Sequence, residues 1–292
     1  MPVPEPKKLP QAAARRPGTL VSLALSTHPG PGLAVTVIAV VLGIGLGLDA
    51  VRLILLGLAF LFNQASVGLS NDWIDAERDA AVGRKDKPVA RGWIRASTVR
   101  TAAFVTAALA IALTVPLGLW ATITHTVFIV SAWAYNAGLK NTPISVLPYI
   151  VSFGLLPMVV TLSRAEPAAA APWALGLGAL LGVAAHFANV LPDLEDDRAT
   201  GVRGLPHRLG RRATGIATYL VLAAASVLAV VGPPSPVTVL QWVGLAVGIA
   251  IAVTGMTLVI ARPPSRLLFQ LIIVAALVDV VQLAVAGDRI LA

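Results

Sequence analysis

The chain has 292 residues, 57% of them hydrophobic and 12% charged, with a mean hydropathy of +0.83. That composition excludes an ordinary soluble domain and places the chain in a bilayer. The net charge of +8 does not argue for a nucleic-acid partner, because in a membrane protein the placement of Lys and Arg decides more than their sum. The absence of Cys excludes disulfides, thiolate metal sites and a Cys nucleophile.

Residues 1–18 are rich in Pro and basic residues and lack the apolar core of a signal peptide. They are expected to form a disordered, basic cytoplasmic tail ahead of a single transmembrane domain over 19–292. Nine apolar stretches follow, at 33–49, 51–70, 99–117, 119–138, 145–163, 172–191, 213–231, 237–260 and 267–286. Each approaches the roughly 20 residues with which a helix crosses the hydrocarbon. The expected fold is therefore an all-α, polytopic membrane protein with nine transmembrane helices. Assigning the loops alternately to two sides puts all the basic residues except Arg52, Arg164 and Arg289 on one side. By the positive-inside rule that side, with the N-terminus, is cytoplasmic, and an odd number of spans leaves the C-terminus outside.

Acidic residues crowd two windows. Nine of the 14 are Asp72, Asp75, Glu77, Asp79 and Asp86, after the second stretch, and Asp193, Glu195, Asp196 and Asp197, after the sixth. A shift of 118 positions lays one window, 71–92, on the other, 189–210: Asn71 on Asn189, Asp75 on Asp193, Glu77 on Glu195, Asp79 on Asp197, Gly83 on Gly201, Lys85 on Arg203, Pro88 on Pro206 and Gly92 on Gly210. The shift spans four helices, which implies two parallel four-helix repeats plus one helix. Both windows then open on one face, at the polar mouth of a shared cytoplasm-facing cavity.

The spacing within the windows suits a bound metal. Asp75 and Asp79 are four apart, as are Asp193 and Asp197, so continuous helices would project each pair from one face. Such like-charged pairs at a membrane boundary call for a cation. Mg²⁺ takes one or two carboxylates together with waters and substrate phosphates, whereas the twelve-residue loop of a Ca²⁺ site is missing. Arg84, Lys85 and Lys87, with Arg198, Arg203 and Arg208 in the second window, supply donors for phosphate oxygens. Metal and guanidinium together would stabilise diphosphate as a leaving group.

The first window, NDWIDAERDAAVGRKDKP (71–88), resembles the NDxxDxxxD motif of the UbiA superfamily of intramembrane prenyltransferases. The second, PDLEDDRATGVRGLPHRLG (192–210), is similar to that family's second motif. The resemblance implies Mg²⁺-dependent (or Mn²⁺-dependent) transfer of a prenyl group from an isoprenyl diphosphate to a lipophilic, aromatic-type acceptor in the membrane. It implies Asp72, Asp75 and Asp79 as one metal group and Asp193 and Asp197 as the other, with Asn71 shaping the first site. Tyr135 and Lys140, in AYNAGLK, stand where the family often has a Tyr and a basic residue near the diphosphate. Two departures are Val190, where some relatives carry an acid, and Lys87, where Arg is commoner. Two other readings share these motifs, a UbiA-type terpene cyclase and a non-enzymatic carrier of a diphosphate lipid.

Further polar residues lie within the spans. His186 and Asn189 share a face with Asp193, and Gln64 and Gly68 share one with Asn71 and Asp75. Each is either an acceptor or diphosphate contact or a polar residue bonded to a neighbouring helix. His125 is expected to be structural, and Asp279, an acid inside a span, to pack with Gln282 one turn away.

Overall fold

A proline makes the first corner. In the computed structural model, which describes residues 16–292 apart from 85, 200, 235 and 262–265, α1 (Thr19–Ser26) and α2 (Pro29–Gly45) meet at a 62° bend. Pro29 disfavours helical geometry in the residue before it. His28 takes φ 52° and ψ 63°, a left-handed conformation that the proline does not by itself dictate and the one positive φ at a non-glycine residue among the described residues. Asp49 caps the next helix by accepting from the Arg52 amide at 3.0 Å, and α3 (Ala50–Ile74) then runs for 25 residues.

Nine helices of 16 to 25 residues stand among the described residues, one on each expected apolar stretch. After α2 and α3 they are α5 (Ala96–Thr114), α6 (Leu119–Ala137), α7 (Leu147–Leu162), α8 (Pro172–Val190), α11 (Arg211–Val231), α12 (Val239–Ala261) and α13 (Arg266–Val285). Short helices α4 (Ala76–Ala81), α9 (Leu194–Ala199) and α10 (Leu205–Leu209) lie in the two acidic windows. No strand forms among the described residues beyond an isolated bridge between Ala170 and Leu291.

Among the described residues five helices are long and apolar enough to cross a membrane: α3, α5 with its extension to Leu117, α8, α11 and α12. The bent pair α1 and α2 makes six if it is one span. Helix α7 falls short with 16 residues, and α6 because it carries Thr122, Thr124, His125, Thr126 and Asn136.

Glycines set the close approaches that place the site. A Cβ on Gly178 or Gly182 of α8 would lie 2.3 or 2.4 Å from the carbonyl oxygens of Phe153 and Tyr149 on α7. These two helices therefore meet backbone to backbone, as small residues permit in membranes. A Cβ on Gly68 would lie 2.1 Å from the Thr27 carbonyl oxygen, so the elbow between α1 and α2 rests directly on α3.

Some polar groups inside the bundle are paired across helices, where each such bond contributes about 1 kcal/mol. His125 is fully buried between the Asn63 amide (2.9 Å) and the Thr114 hydroxyl (2.8 Å) and stacks on Phe60, a structural role. Asp279 is also fully buried; Gln282 approaches it at 3.5 Å, but the nearer partner is Ser226 of α11, whose hydroxyl donates at 2.7 Å.

Candidate diphosphate and metal site

The two acidic windows fold alike. In each, the main chain bonds the second Asp to the first, Asp79 N to Asp75 O and Asp197 N to Asp193 O, both at 2.8 Å. In each, a glycine at positive φ, Gly83 (68°) or Gly201 (84°), bonds three residues back, to Ala80 O or Arg198 O. The next amide then returns to the second Asp, Arg84 N to Asp79 O and Val202 N to Asp197 O. Gly92 and Gly210 also share positive φ. Every one of these correspondences keeps the 118-residue shift.

The helices do not run on through the acidic pairs. Helix α3 stops at Ile74 and leaves Asp75 between it and α4, while residues 191–193 form a turn between α8 and α9. The main-chain bond from each second Asp to the first keeps the four-residue pairing across the break.

Both windows open on one cavity of about 410 Å³. Its polar end holds Asp75, Asp79, Asp193, Asp197, Arg84, Lys87 and Lys140. On α3 the lining residues are Gln64, Val67, Gly68 and Asn71, a single helical face, with Asp75 just past its end. At 1.5 Å per residue that face carries the cavity about 16 Å from Asp75 down to Gln64. The walls farther in are Val35 of α2, Phe128 of α6 and Phe153 of α7, and Phe128 packs edge-on to the buried Phe60. Anionic and cationic groups thus gather at one end of an apolar chamber.

The charges are tightly interlocked. Lys140 is buried and its Nζ sits between the two carboxylate oxygens of Asp75, at 2.5 and 2.6 Å. Arg78 and Asn71 bond the same carboxylate at 3.1 and 3.0 Å. Lys87 donates to Asn71 Oδ1 at 2.8 Å and His28 Nε2 at 2.9 Å, and stands 3.5 Å from Asp72 and 3.9 Å from Asp79. Arg84 joins the windows, pairing with Asp86 at 2.9 Å and Asp193 at 3.3 Å. In the second window His207 stands 3.4 Å from Asp197, and Arg198 donates to the His207 carbonyl.

Burial shifts several of these groups. It pushes the Asp79 and Asp197 carboxyls up, against the pull of Lys87 on the first and His207 on the second. It pushes the Lys140 ammonium down, against the attraction of Asp75. Asp86, hydrogen-bonded to Arg84 and largely exposed, is instead lowered to about 2.

The carboxylates fit divalent metal. Asp72 Oδ1 and Asp79 Oδ2 are buried oxygens without a hydrogen-bond partner among the described residues, and the Lys87 ammonium stands 3.5 Å from the first and 3.9 Å from the second. Among the described residues no three Asp, Glu, His or Cys side chains stand together as a ready ligand set. An ion here would need oxygens from water or a phosphate as well, which is how Mg²⁺ is usually held.

Not every expected residue reaches the cavity. Asn71, Asp75, Asp79, Arg84, Lys87, Tyr135, Lys140, Gln64, Asn189, Asp193 and Asp197 line it. Asp72 stands behind the wall, where Ser26 Oγ donates to it at 2.6 Å. His186 corrects the expectation of a cavity residue: it is buried behind Tyr135 and Tyr149, bonded to Ser145 Oγ at 3.0 Å, because α8 turns that face toward α6 and α7. Arg198 and Arg203 are exposed and do not line the cavity, since α9 and the segment after it turn them outward. Lys85 lies outside the described residues.

Among the cavity residues that carried no clear sequence signal are His28, Arg78, Tyr149 and His207. Arg78 and His207 lie within the windows and could have been singled out with their neighbours. His28 and Tyr149 are far from either motif in sequence, and Tyr149 is recognisable only through its hydroxyl, which accepts from Asn189 Nδ2 at 3.1 Å.

Comparison with known proteins accords with this geometry. The sequence pattern of the UbiA prenyltransferase family matches residues 32–276. No curated protein matches at a significant level. Among solved structures, a UbiA homolog from Archaeoglobus fulgidus bound to GPP and Mg²⁺ superposes with a TM-score of 0.71 at 14% identity, over 90% of this chain and 99% of that one. The same homolog bound to DMAPP and Mg²⁺ gives the same figures. An apo UbiA homolog from Aeropyrum pernix K1 superposes with a TM-score of 0.64 at 15% identity, over 92% of this chain and 98% of that one. With more than half its length matched by the family pattern and its helices arranged as in these structures, the chain is an integral membrane protein of the UbiA prenyltransferase family.

Proposed function

We propose that the protein transfers a prenyl group from an isoprenyl diphosphate to a lipophilic, aromatic-type acceptor within the membrane, with Mg²⁺ as cofactor and Mn²⁺ able to replace it. The observation that carries this reading is that two acidic windows 118 residues apart in sequence border one cavity whose far end is apolar. The A. fulgidus structures with prenyl diphosphate and Mg²⁺ support it.

In this reading Asp75, Asp79, Asp193 and Asp197 hold the metal at the cavity, and Asp72 supports the first group from behind. The bound metal supplies positive charge to the diphosphate, making it a better leaving group. Arg84, Lys87 and Lys140 donate hydrogen bonds to its oxygens, and Asn71 and Tyr135 orient it. Arg198 and Arg203 act from outside the cavity, drawing the anion toward its mouth. The allylic C–O bond breaks and its electron pair leaves with the diphosphate. The acceptor supplies the pair for the new bond and releases a proton, while the apolar walls, including Phe128 and Phe153, keep water from the prenyl cation.

The same proposal includes nine spanning helices as two four-helix repeats plus one, within a single domain over 19–292. The site faces the cytoplasm with the N-terminus, and the C-terminus lies outside. The expected tail at 1–18 falls almost wholly outside the described residues.

The test is to incubate purified protein with Mg²⁺, C10 to C20 prenyl diphosphates and a panel of phenolic, quinol and glycerol-ether acceptors, with products read by mass spectrometry. The proposal expects a prenylated acceptor and no hydrocarbon in the absence of acceptor. Cyclic hydrocarbon formed without acceptor would establish cyclisation instead, and intact diphosphate throughout would contradict both.

A further inference from the structure

The elbow between α1 and α2 brings a residue to the site that neither motif contains. His28 is half-buried, lines the cavity, and places Nε2 2.9 Å from Lys87 Nζ. An ammonium has only donors, so Nε2 accepts and the imidazole proton lies on Nδ1. Lys87 is thereby held between the His28 nitrogen and Asn71 Oδ1. The imidazole is fixed in turn by the backbone. Thr27 rests on Gly68, and Ser26 Oγ bonds Asp72, one turn farther along the same face of α3.

This placement comes at the expense of local strain. His28 adopts φ 52°, where a side chain with a Cβ is disfavoured and Gly or Asn fits more easily. A residue kept in such a conformation beside a ligand cavity points to a role for its side chain. We infer that His28 is a positioning residue for Lys87, aiming its ammonium at a diphosphate oxygen; this rests on the prenyl-diphosphate reading above.

The test uses binding of geranyl S-thiolodiphosphate in Mg²⁺, with melting temperature measured alongside. His28→Gly and His28→Asn both suit the backbone, but neither reaches Lys87, so each is expected to raise Kd about tenfold while melting no lower than wild type. His28→Gln, whose carbonyl oxygen can stand near the position of Nε2, should stay within about threefold of wild type. In a Lys87→Met background, His28→Gly should change Kd by less than about twofold, because its effect acts through Lys87. Should His28→Gly fail to fold, His28→Asn carries the same comparison. Wild-type affinity in both short variants would overturn the inference, as would an undiminished loss in the Lys87→Met background. Repeating the series with Mg²⁺ and inorganic diphosphate separates the two claims. A prenyl analogue bound no more tightly than inorganic diphosphate would contradict the prenyl reading, and the His28 comparison would still be decided on inorganic diphosphate.

Discussion

Asp75→Asn and Asp193→Asn are each expected to reduce turnover by about a thousandfold, and the double variant to lose far less than the product of the two. Amide for carboxylate keeps shape and removes charge, so each change weakens the metal at its own window. If the windows hold one diphosphate between them, the first loss already disables the unit and the second adds little. Melting temperature serves as the control. Asp75 is buried against Lys140, and removing its charge leaves that ammonium uncompensated, a change of the kind that costs about 3–5 kcal/mol. Asp193 is only half-buried, so Asp193→Asn should lower activity with little effect on the fold. Independent, multiplicative losses would show two separate sites.

Withdrawal of divalent metal is expected to remove prenyl diphosphate binding altogether. The basic groups in the cavity are already engaged with carboxylates: Lys140 and Arg78 with Asp75, Arg84 with Asp86 and Asp193, Lys87 near Asp72 and Asp79. An anion approaching this balanced cluster gains little until further positive charge enters. Titrating geranyl S-thiolodiphosphate into protein in excess EDTA should give no detectable binding, and adding Mg²⁺ or Mn²⁺ beyond the chelator should restore it. Tight binding in EDTA would mean that the basic residues alone hold the diphosphate.

Long apolar runs in the sequence were enough to locate the long helices, each of which falls on one of them. The corner at His28 was not legible. Helix α1 has only eight residues and lies before a Pro-Gly-Pro-Gly run, which reads as a loop although Pro29 can begin a helix at its first position. The acidic windows were legible because nine of the chain's 14 acidic residues fall in them, and the 118-residue shift doubled the signal. Their local form was not, because four-residue spacing fits both a continuous helix and two helices joined by one retained main-chain bond, as at Asp75 and Asp79.

Individual side-chain directions were harder still. His186 shares the helical face of Asn189 and Asp193 by spacing, yet α7 packs so closely on Gly182 that Tyr149 lies between His186 and the cavity. His28 and Ser26 reach Lys87 and Asp72 only because Gly68 admits the backbone of Thr27, a tertiary contact that no local pattern announces.

The most direct measurement of the central claim is anomalous diffraction from crystals grown with Mn²⁺ and geranyl S-thiolodiphosphate. The account predicts manganese peaks beside Asp75 and Asp79 and beside Asp193 and Asp197, all ligated by oxygens of a single diphosphate whose prenyl chain runs toward Phe128. A diphosphate bound away from either acidic window, or manganese at only one of them, would contradict it.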